Sequence, residues 1–100
     1  MLLIIMGTFS VPPARLADAR PVMAKMLEES RAEAGCLHYA YAEDLETPGL
    51  IRVSEIWRSR ADLEAHFASA HLADWRASWS ELGIGDRNLQ RFEVMAAERT

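Results

Sequence analysis

The amino-acid sequence has little of what marks membrane, disulfide-stabilised or nucleic-acid-binding proteins. Its one cysteine, Cys36, excludes a disulfide within the chain, so nothing requires an oxidising compartment, and we expect Cys36 to be a packing residue. The chain has 11 basic against 15 acidic residues, and a net charge of -4 disfavours nucleic acid as a partner. No hydrophobic run approaches the roughly 20 residues of a membrane span. We expect a cytoplasmic protein that binds neither nucleic acid nor membrane.

Cofactor motifs and linkers are missing as well. The chain has no glycine-rich dinucleotide loop, no P-loop and no Cys/His cluster, so we predict that it uses no cofactor and no metal. It also has no linker, repeat or low-complexity segment. A length of 100 residues with 50% hydrophobic composition suits one core. We therefore predict a single domain over residues 1–97 and a polar tail over 98–100.

The period of hydrophobicity changes along the chain and predicts six elements. Strands are predicted over residues 2–9, 36–44, 50–57 and 89–98, and helical regions over 11–35 and 59–83. Alternation in the second strand puts Leu37, Tyr39 and Tyr41 on one face. This order predicts an α+β ferredoxin-like βαββαβ sandwich, in which an antiparallel four-stranded sheet carries two helical regions on one face.

Proline, serine and glycine mark the helix boundaries. Pro21 falls inside the first helical pattern, so it either kinks that helix or begins its regular part. Ser59 is a predicted N-cap, and Ser69 can cap a restart of the second helical region. Gly83 and Gly85 are predicted to end it.

The helices leave one face of the predicted sheet uncovered. The first strand is apolar on both faces, and the last presents Phe92 and Val94 on one side and Leu89 and Met95 on the other. An exposed apolar sheet face in a short chain favours a second copy as its cover. We predict a homodimer.

Candidate functional residues concentrate in "SEIWRSRADLEAHFASAHLADW", residues 54–75. Glu55 and Trp57 share a strand face and can meet a histidine if that face points to the helices. On a continuous helix His66 and His71 lie about 140° apart, unlike a helical zinc pair. A break at Ser69 would bring their rings together. The remaining ligands would then be Glu55 or His38, without diagnostic spacing, so a metal site is disfavoured.

The segments "GCLHYAYAED", "IRVSEIWRSRADLEAHFASAH" and "RFEV" resemble the antibiotic biosynthesis monooxygenase (ABM) family. The resemblance runs from Leu2 to Val94 and implies a dimeric α+β barrel of ferredoxin-like subunits. The family includes cofactor-free monooxygenases of anthrones and quinols, haem-degrading monooxygenases, an isomerase of a phosphorylated sugar, and members without a known substrate. It implies a small aromatic substrate and O2 as the partners of this chain.

An oxygenase without a cofactor needs a substrate that supplies the electrons. The protein then removes a proton, stabilises the resulting anion and excludes water. A histidine near its ordinary pKa suits proton removal, and aromatic walls suit the exclusion of water. We therefore predict as catalytic residues His66, His71 and Glu55, and as substrate-binding residues Trp57, Tyr39, Phe67 and Trp75.

Each candidate has a structural alternative. His66 can be a buried histidine paired with Glu55, His71 can belong to the helix cap near Ser69, and the aromatic residues can simply pack in the core. Glu55 either orients a histidine or pairs in solvent with Arg58 or Arg60.

Three functional alternatives stay open on the same residues. The first is a non-catalytic dimer that binds a small aromatic ligand. Haem degradation is disfavoured because "MGTFS" lacks the asparagine that haem degraders of this family carry on the first strand. A phosphosugar isomerase is disfavoured because only three basic residues are near the candidate site, namely Arg58, Arg60 and Arg76.

Overall fold

A four-stranded antiparallel sheet with helices on one face forms the architecture in a computed structural model that describes residues 1–100. The elements in chain order are β1 (Leu2–Ser10), α1 (Leu16–Arg31), β2 (Cys36–Glu43), β3 (Leu50–Trp57), α2 (Arg60–Phe67), α3 (Ala70–Leu82) and β4 (Gly85–Val94), with a 3₁₀ turn at Pro13–Arg15. The sheet order is β2-β3-β1-β4, and all three strand pairs are antiparallel. The predicted ferredoxin-like α+β sandwich is confirmed.

Two serine caps divide the second helical region into two helices. The Ser59 hydroxyl accepts a hydrogen bond from the Asp62 N–H at 3.2 Å and begins α2. The Ser69 hydroxyl accepts from the Leu72 N–H at 3.3 Å and begins α3, as predicted. Gly83 ends α3 with a φ of 74°, a left-handed conformation that glycine adopts at little cost.

The structure decides one open alternative among the predicted elements and corrects two details. Helix α1 runs through Pro21 from Leu16 rather than beginning at the proline. The register of β2 shifts between Cys36 and His38, and at this bulge the side chain of Leu37 is exposed instead of sharing the buried face of Tyr39. Strand β4 begins at Gly85, four residues earlier than predicted, so this glycine belongs to the strand.

The hydrophobic core lies between the sheet and the helices. Along β1 and β3, positions that face the helices alternate with positions that face outward. The largest buried side chains at the helix-facing positions are Leu3, Phe9 and Trp57. On the opposite face of the sheet, Met6 is 54% and Phe92 is 44% exposed. None of the helices is both long enough and apolar enough to cross a membrane.

Candidate active site

The break between α2 and α3 brings both histidines of the candidate segment to one carboxylate, that of Glu33. The Nδ1 of His66 lies 2.5 Å and the Nε2 of His71 lies 2.9 Å from the same oxygen, Oε2 of Glu33. The two ring centroids are 5.8 Å apart. The angle of about 140° between the two histidines holds only for a continuous helix. Because a new helix begins after Ser69, the two side chains point to the same carboxylate.

Local backbone interactions fix the positions of these three groups. Glu33 follows the end of α1, and Gly35 then turns the chain with a φ of 80°, where a Cβ atom would overlap the carboxylate of Asp62. The carbonyl of Gly35 accepts from the N–H of Arg58 at 2.8 Å. On the other side, the Ser69 hydroxyl donates to the carbonyl of His66 at 2.6 Å.

The hydrogen bonds of Glu33 define where the histidine protons lie. A carboxylate oxygen only accepts, so the Nδ1 of His66 and the Nε2 of His71 are the donors. His66 is 2% exposed, and this burial lowers its pKa, while the hydrogen bond to Glu33 acts in the opposite direction. His66 is therefore a neutral imidazole near pH 7, with an unprotonated Nε2 that has no hydrogen-bond partner in the protein.

Aromatic rings surround His66 on several sides. The indole of Trp57 lies 4.6 Å and the phenol of Tyr39 lies 5.5 Å from the imidazole centroid, with Phe67 at 6.1 Å. The hydroxyl groups of Tyr39 and Tyr41 are 3.1 Å apart, and burial raises the pKa of both phenols, so both are neutral hydrogen-bonding groups.

A second acidic group, Glu55, lies buried on the same side of the sheet. Burial raises its pKa to about 7, although the indole N–H of Trp57 donates to its Oε1 at 3.0 Å and favours the ionised form. The prediction that Glu55 pairs with His66, Arg58 or Arg60 is wrong. Glu33 pairs with the histidine, Asp62 binds Arg58, and Glu93 binds Arg60.

His66 and Glu55 both line a narrow cleft between the sheet and the helices. Its volume in this conformation is about 30 Å³, roughly the space of one water molecule. Trp79, also in the lining, has a buried indole N–H without a hydrogen-bond partner. The other lining residues are mostly apolar and aromatic, with two arginines at the polar part: Ile5, Phe9, Tyr39, Tyr41, Val53, Phe67, Leu72, Trp75, Leu89, Arg76 and Arg87.

Five of the seven predicted site residues line this cleft: Tyr39, Glu55, His66, Phe67 and Trp75. Trp57 instead lies fully buried behind His66, and His71 faces a different cavity, between α1 and α3. Sequence reasoning missed Glu33, Arg87 and Trp79. Glu33 stands in the acidic stretch "EESRAEAG", where nothing distinguishes it from its solvent-facing neighbours.

The sequence and the fold define one family. The model of the antibiotic biosynthesis monooxygenase family matches residues 2–78, and the chain belongs to this family. A provisionally assigned antibiotic biosynthesis monooxygenase from Deinococcus radiodurans has a similar structure, with a TM-score of 0.90 at 24% identity over 100% of this chain and 98% of that one. A Pseudomonas aeruginosa protein gives a TM-score of 0.79 at 25% identity over 95% and 94% of the two chains.

Among curated proteins, an uncharacterized protein from Synechocystis sp. is 27% identical over 73% of this chain. The match spans 50% of that relative, so the chain corresponds to about half of its length. The family model therefore gives the family, the similar structures give the fold, and none of these comparisons identifies a substrate.

Proposed function

We propose that this protein is a cofactor-independent monooxygenase that oxidises an electron-rich aromatic substrate with O2. The observation that carries the proposal is the arrangement of His66. Its Nδ1–H is held by Glu33, its unprotonated Nε2 has no partner, and the ring lines an aromatic cleft. A buried imidazole oriented by a carboxylate through its other nitrogen is the arrangement of a general base.

An anthrone illustrates the proposed reaction. The Nε2 of His66 takes a proton from the CH2 group, and the carbanion gives one electron to O2. The radical pair combines into a peroxide anion at the same carbon. This anion takes back a proton, and the resulting hydroperoxide loses water and leaves a carbonyl. The substrate loses four electrons and O2 gains four, so the reaction yields one ketone and one water and needs no external reductant.

Other groups of the cleft suit the remaining steps. Arg76 and Arg87 place positive charge at the cleft, where it stabilises an anionic substrate. Glu55, whose pKa is about 7, is partly protonated at neutral pH and can return a proton to the peroxide. The unpartnered N–H of Trp79 is a donor available to a substrate oxygen. A substrate of two or three rings requires the cleft to widen, and half-buried Phe67 and Trp79 are the side chains placed to move.

The proposal includes a homodimer in the cytoplasm. Outward-facing Met6 and Phe92 leave an apolar surface on the sheet that the helices of the same chain do not cover. A second copy packed on it buries these side chains and supports the walls of the cleft from behind.

The test is O2 uptake by metal-stripped protein with menadiol, other quinols and anthrones. On a substrate that turns over, we expect His66→Gln to lower kcat by about 10²- to 10⁴-fold, because a positioned base contributes that much. His71→Gln is the matched control. It removes the other partner of Glu33 but leaves Nε2 of His66 free, so we expect a loss below about tenfold.

Two results would contradict this assignment. Equal rates for wild type and His66→Gln would leave His66 as a structural histidine. Saturable binding of an aromatic ligand without any O2 uptake would favour the binding-protein alternative.

A further inference from the structure

We propose that Glu33, His66 and His71 form a site for one divalent metal ion of the zinc type, and that the bound ion switches off the base. The carboxylate oxygen and the two ring nitrogens that it joins all lie within 4.8 Å of one another. Two imidazoles and one carboxylate are a common donor set for Zn²⁺. The proposal that the ion binds is independent of the proposed function, whereas the proposal that the ion switches off the base rests on the proposed function.

The ligand atoms need only a small displacement to accept an ion. Zinc bonds of about 2.0–2.2 Å in a tetrahedral site separate neighbouring ligand atoms by roughly 3.3 Å. The separations from Glu33 are now 2.5 Å to His66 and 2.9 Å to His71, each spanned by a hydrogen-bonded proton. Replacing those protons by one ion lengthens the two separations by about 0.8 and 0.4 Å. The two ring nitrogens, which lie within 4.8 Å of each other, approach by at most about 1.5 Å.

The surroundings of His71 favour an ion at this position. The carboxylate of Glu29 lies 3.5 Å from the Nδ1 of His71, on the opposite side of the ring from Glu33. Histidine ligands of metal sites commonly donate their second N–H to such a carboxylate. His71 and Glu29 also line a cavity of about 310 Å³ between α1 and α3, so an ion can reach His71 from a side other than the aromatic cleft.

Metal binding and base catalysis exclude each other at His66. An ion on Nδ1 requires the lone pair of that nitrogen, so the proton of the neutral ring moves to Nε2. An Nε2–H donates and cannot take the proton of a substrate. In the same way the proton of His71 moves to Nδ1, within reach of Glu29. The ion thus converts the proposed base into a donor without entering the cleft.

Binding is tested by titrating metal-stripped protein with Co²⁺ and following its visible ligand-field absorbance. We expect one ion per chain with tetrahedral intensity. Glu33→Gln and His71→Gln should each weaken binding at least tenfold, while the matched variant His38→Gln should bind like wild type, because exposed His38 contacts Ser54 elsewhere. Absence of saturable binding, or wild-type affinity in Glu33→Gln, would overturn the site.

Switching has a readout that needs no substrate. We expect ¹⁵N NMR of the imidazoles to show the His66 proton on Nδ1 in the apo protein and on Nε2 with Zn²⁺. We also expect stoichiometric Zn²⁺ to reduce the rate of O2 uptake to less than a tenth of the metal-free rate, and a chelator to restore that rate. A proton that stays on Nδ1, or full O2 uptake by the zinc-loaded protein, overturns the switch. If no substrate is oxidised, only the proposed function is refuted, because the Co²⁺ and NMR results do not depend on a substrate.

Discussion

At the scale of single residues, the buried acid Glu55 makes the stability of the protein depend on pH. Its side chain is almost fully removed from water, and its one hydrogen bond, from Trp57, does not offset the cost of burying charge. The protein therefore folds more favourably with Glu55 protonated. Because the pKa in the folded state is about 7 and the ordinary value is 4.5, the unfolded chain loses this proton first as pH rises.

Glu55→Gln should therefore stabilise the protein, and increasingly so as pH rises. Between pH 4.5 and about 7 the ionisation of Glu55 lowers the free energy of unfolding of the wild type by up to about 3 kcal/mol. The Glu55→Gln protein has a neutral amide at this position and does not show this loss. The amide oxygen still accepts from Trp57. The measurement is urea unfolding of both proteins at pH 4.5 and pH 8. The contribution of His66 is the same in both proteins, so it cancels when their free energies of unfolding are subtracted at each pH. A gain that is the same at both pH values would contradict a raised pKa.

Residue identity alone left the centre of the site undefined. The shared face of Glu55 and Trp57 follows from strand alternation and was predictable, but whether that face points to the helices was not. Glu33 was not, because it lies at the end of a helix among other acidic residues, and only the turn at Gly35 brings it to the histidines. A bulge such as the one at Leu37 depends on the register with β3, which the hydrophobic pattern of β2 does not contain.

At the scale of elements, the break between α2 and α3 creates the site. Each of its two helices starts at a serine whose hydroxyl accepts a hydrogen bond from a backbone N–H. The Ser59 hydroxyl donates to the carboxylate of Asp62, whereas the Ser69 hydroxyl donates to a backbone carbonyl. Of the two serines, only Ser69 stands between the histidines, and its hydroxyl holds the carbonyl of His66 at 2.6 Å.

Ser69→Ala and Ser59→Ala should have similar effects on stability and different effects on the site. Losing either cap should lower the free energy of unfolding by about 1 kcal/mol in urea titrations. Only Ser69→Ala should change the imidazole ¹⁵N signals of His71, because it loosens the first turn of α3, which carries that ring. If Ser59→Ala changes those signals equally, the cap of α3 does not position His71.

The order of elements was the most predictable part of the fold. Each switch between a period of two and a period of 3.6 coincides with a proline, serine or glycine boundary. The end positions were less predictable, because the residues that begin β4 are polar and are recruited into the sheet by pairing with β1.

At the scale of the whole molecule, the apolar face of the sheet predicts assembly. Phe92→Glu places a charge on the apolar sheet face that forms the proposed contact between two copies, and burying this charge unpaired is costly. We expect wild type to sediment as a dimer at micromolar concentration and Phe92→Glu as a monomer. Leu45→Glu is the matched control, because Leu45 is fully exposed in the loop after β2, and it should stay dimeric. A monomeric wild type would refute the predicted assembly.

The contact of Glu33 with both histidines also closes a loop of the chain. Glu33 comes directly before the β2–β3 hairpin, and the two histidines come after that hairpin. Counted from Glu33, they lie 33 and 38 residues later in the sequence. The three side chains thus act as a noncovalent clasp around that hairpin. When the connection between α1 and β2 opens locally, both imidazoles lose their orienting carboxylate in the same event. For the base proposed at His66, local opening and chemical competence would then be one equilibrium, and the lifetime of the clasp would set how long its ring stays aligned.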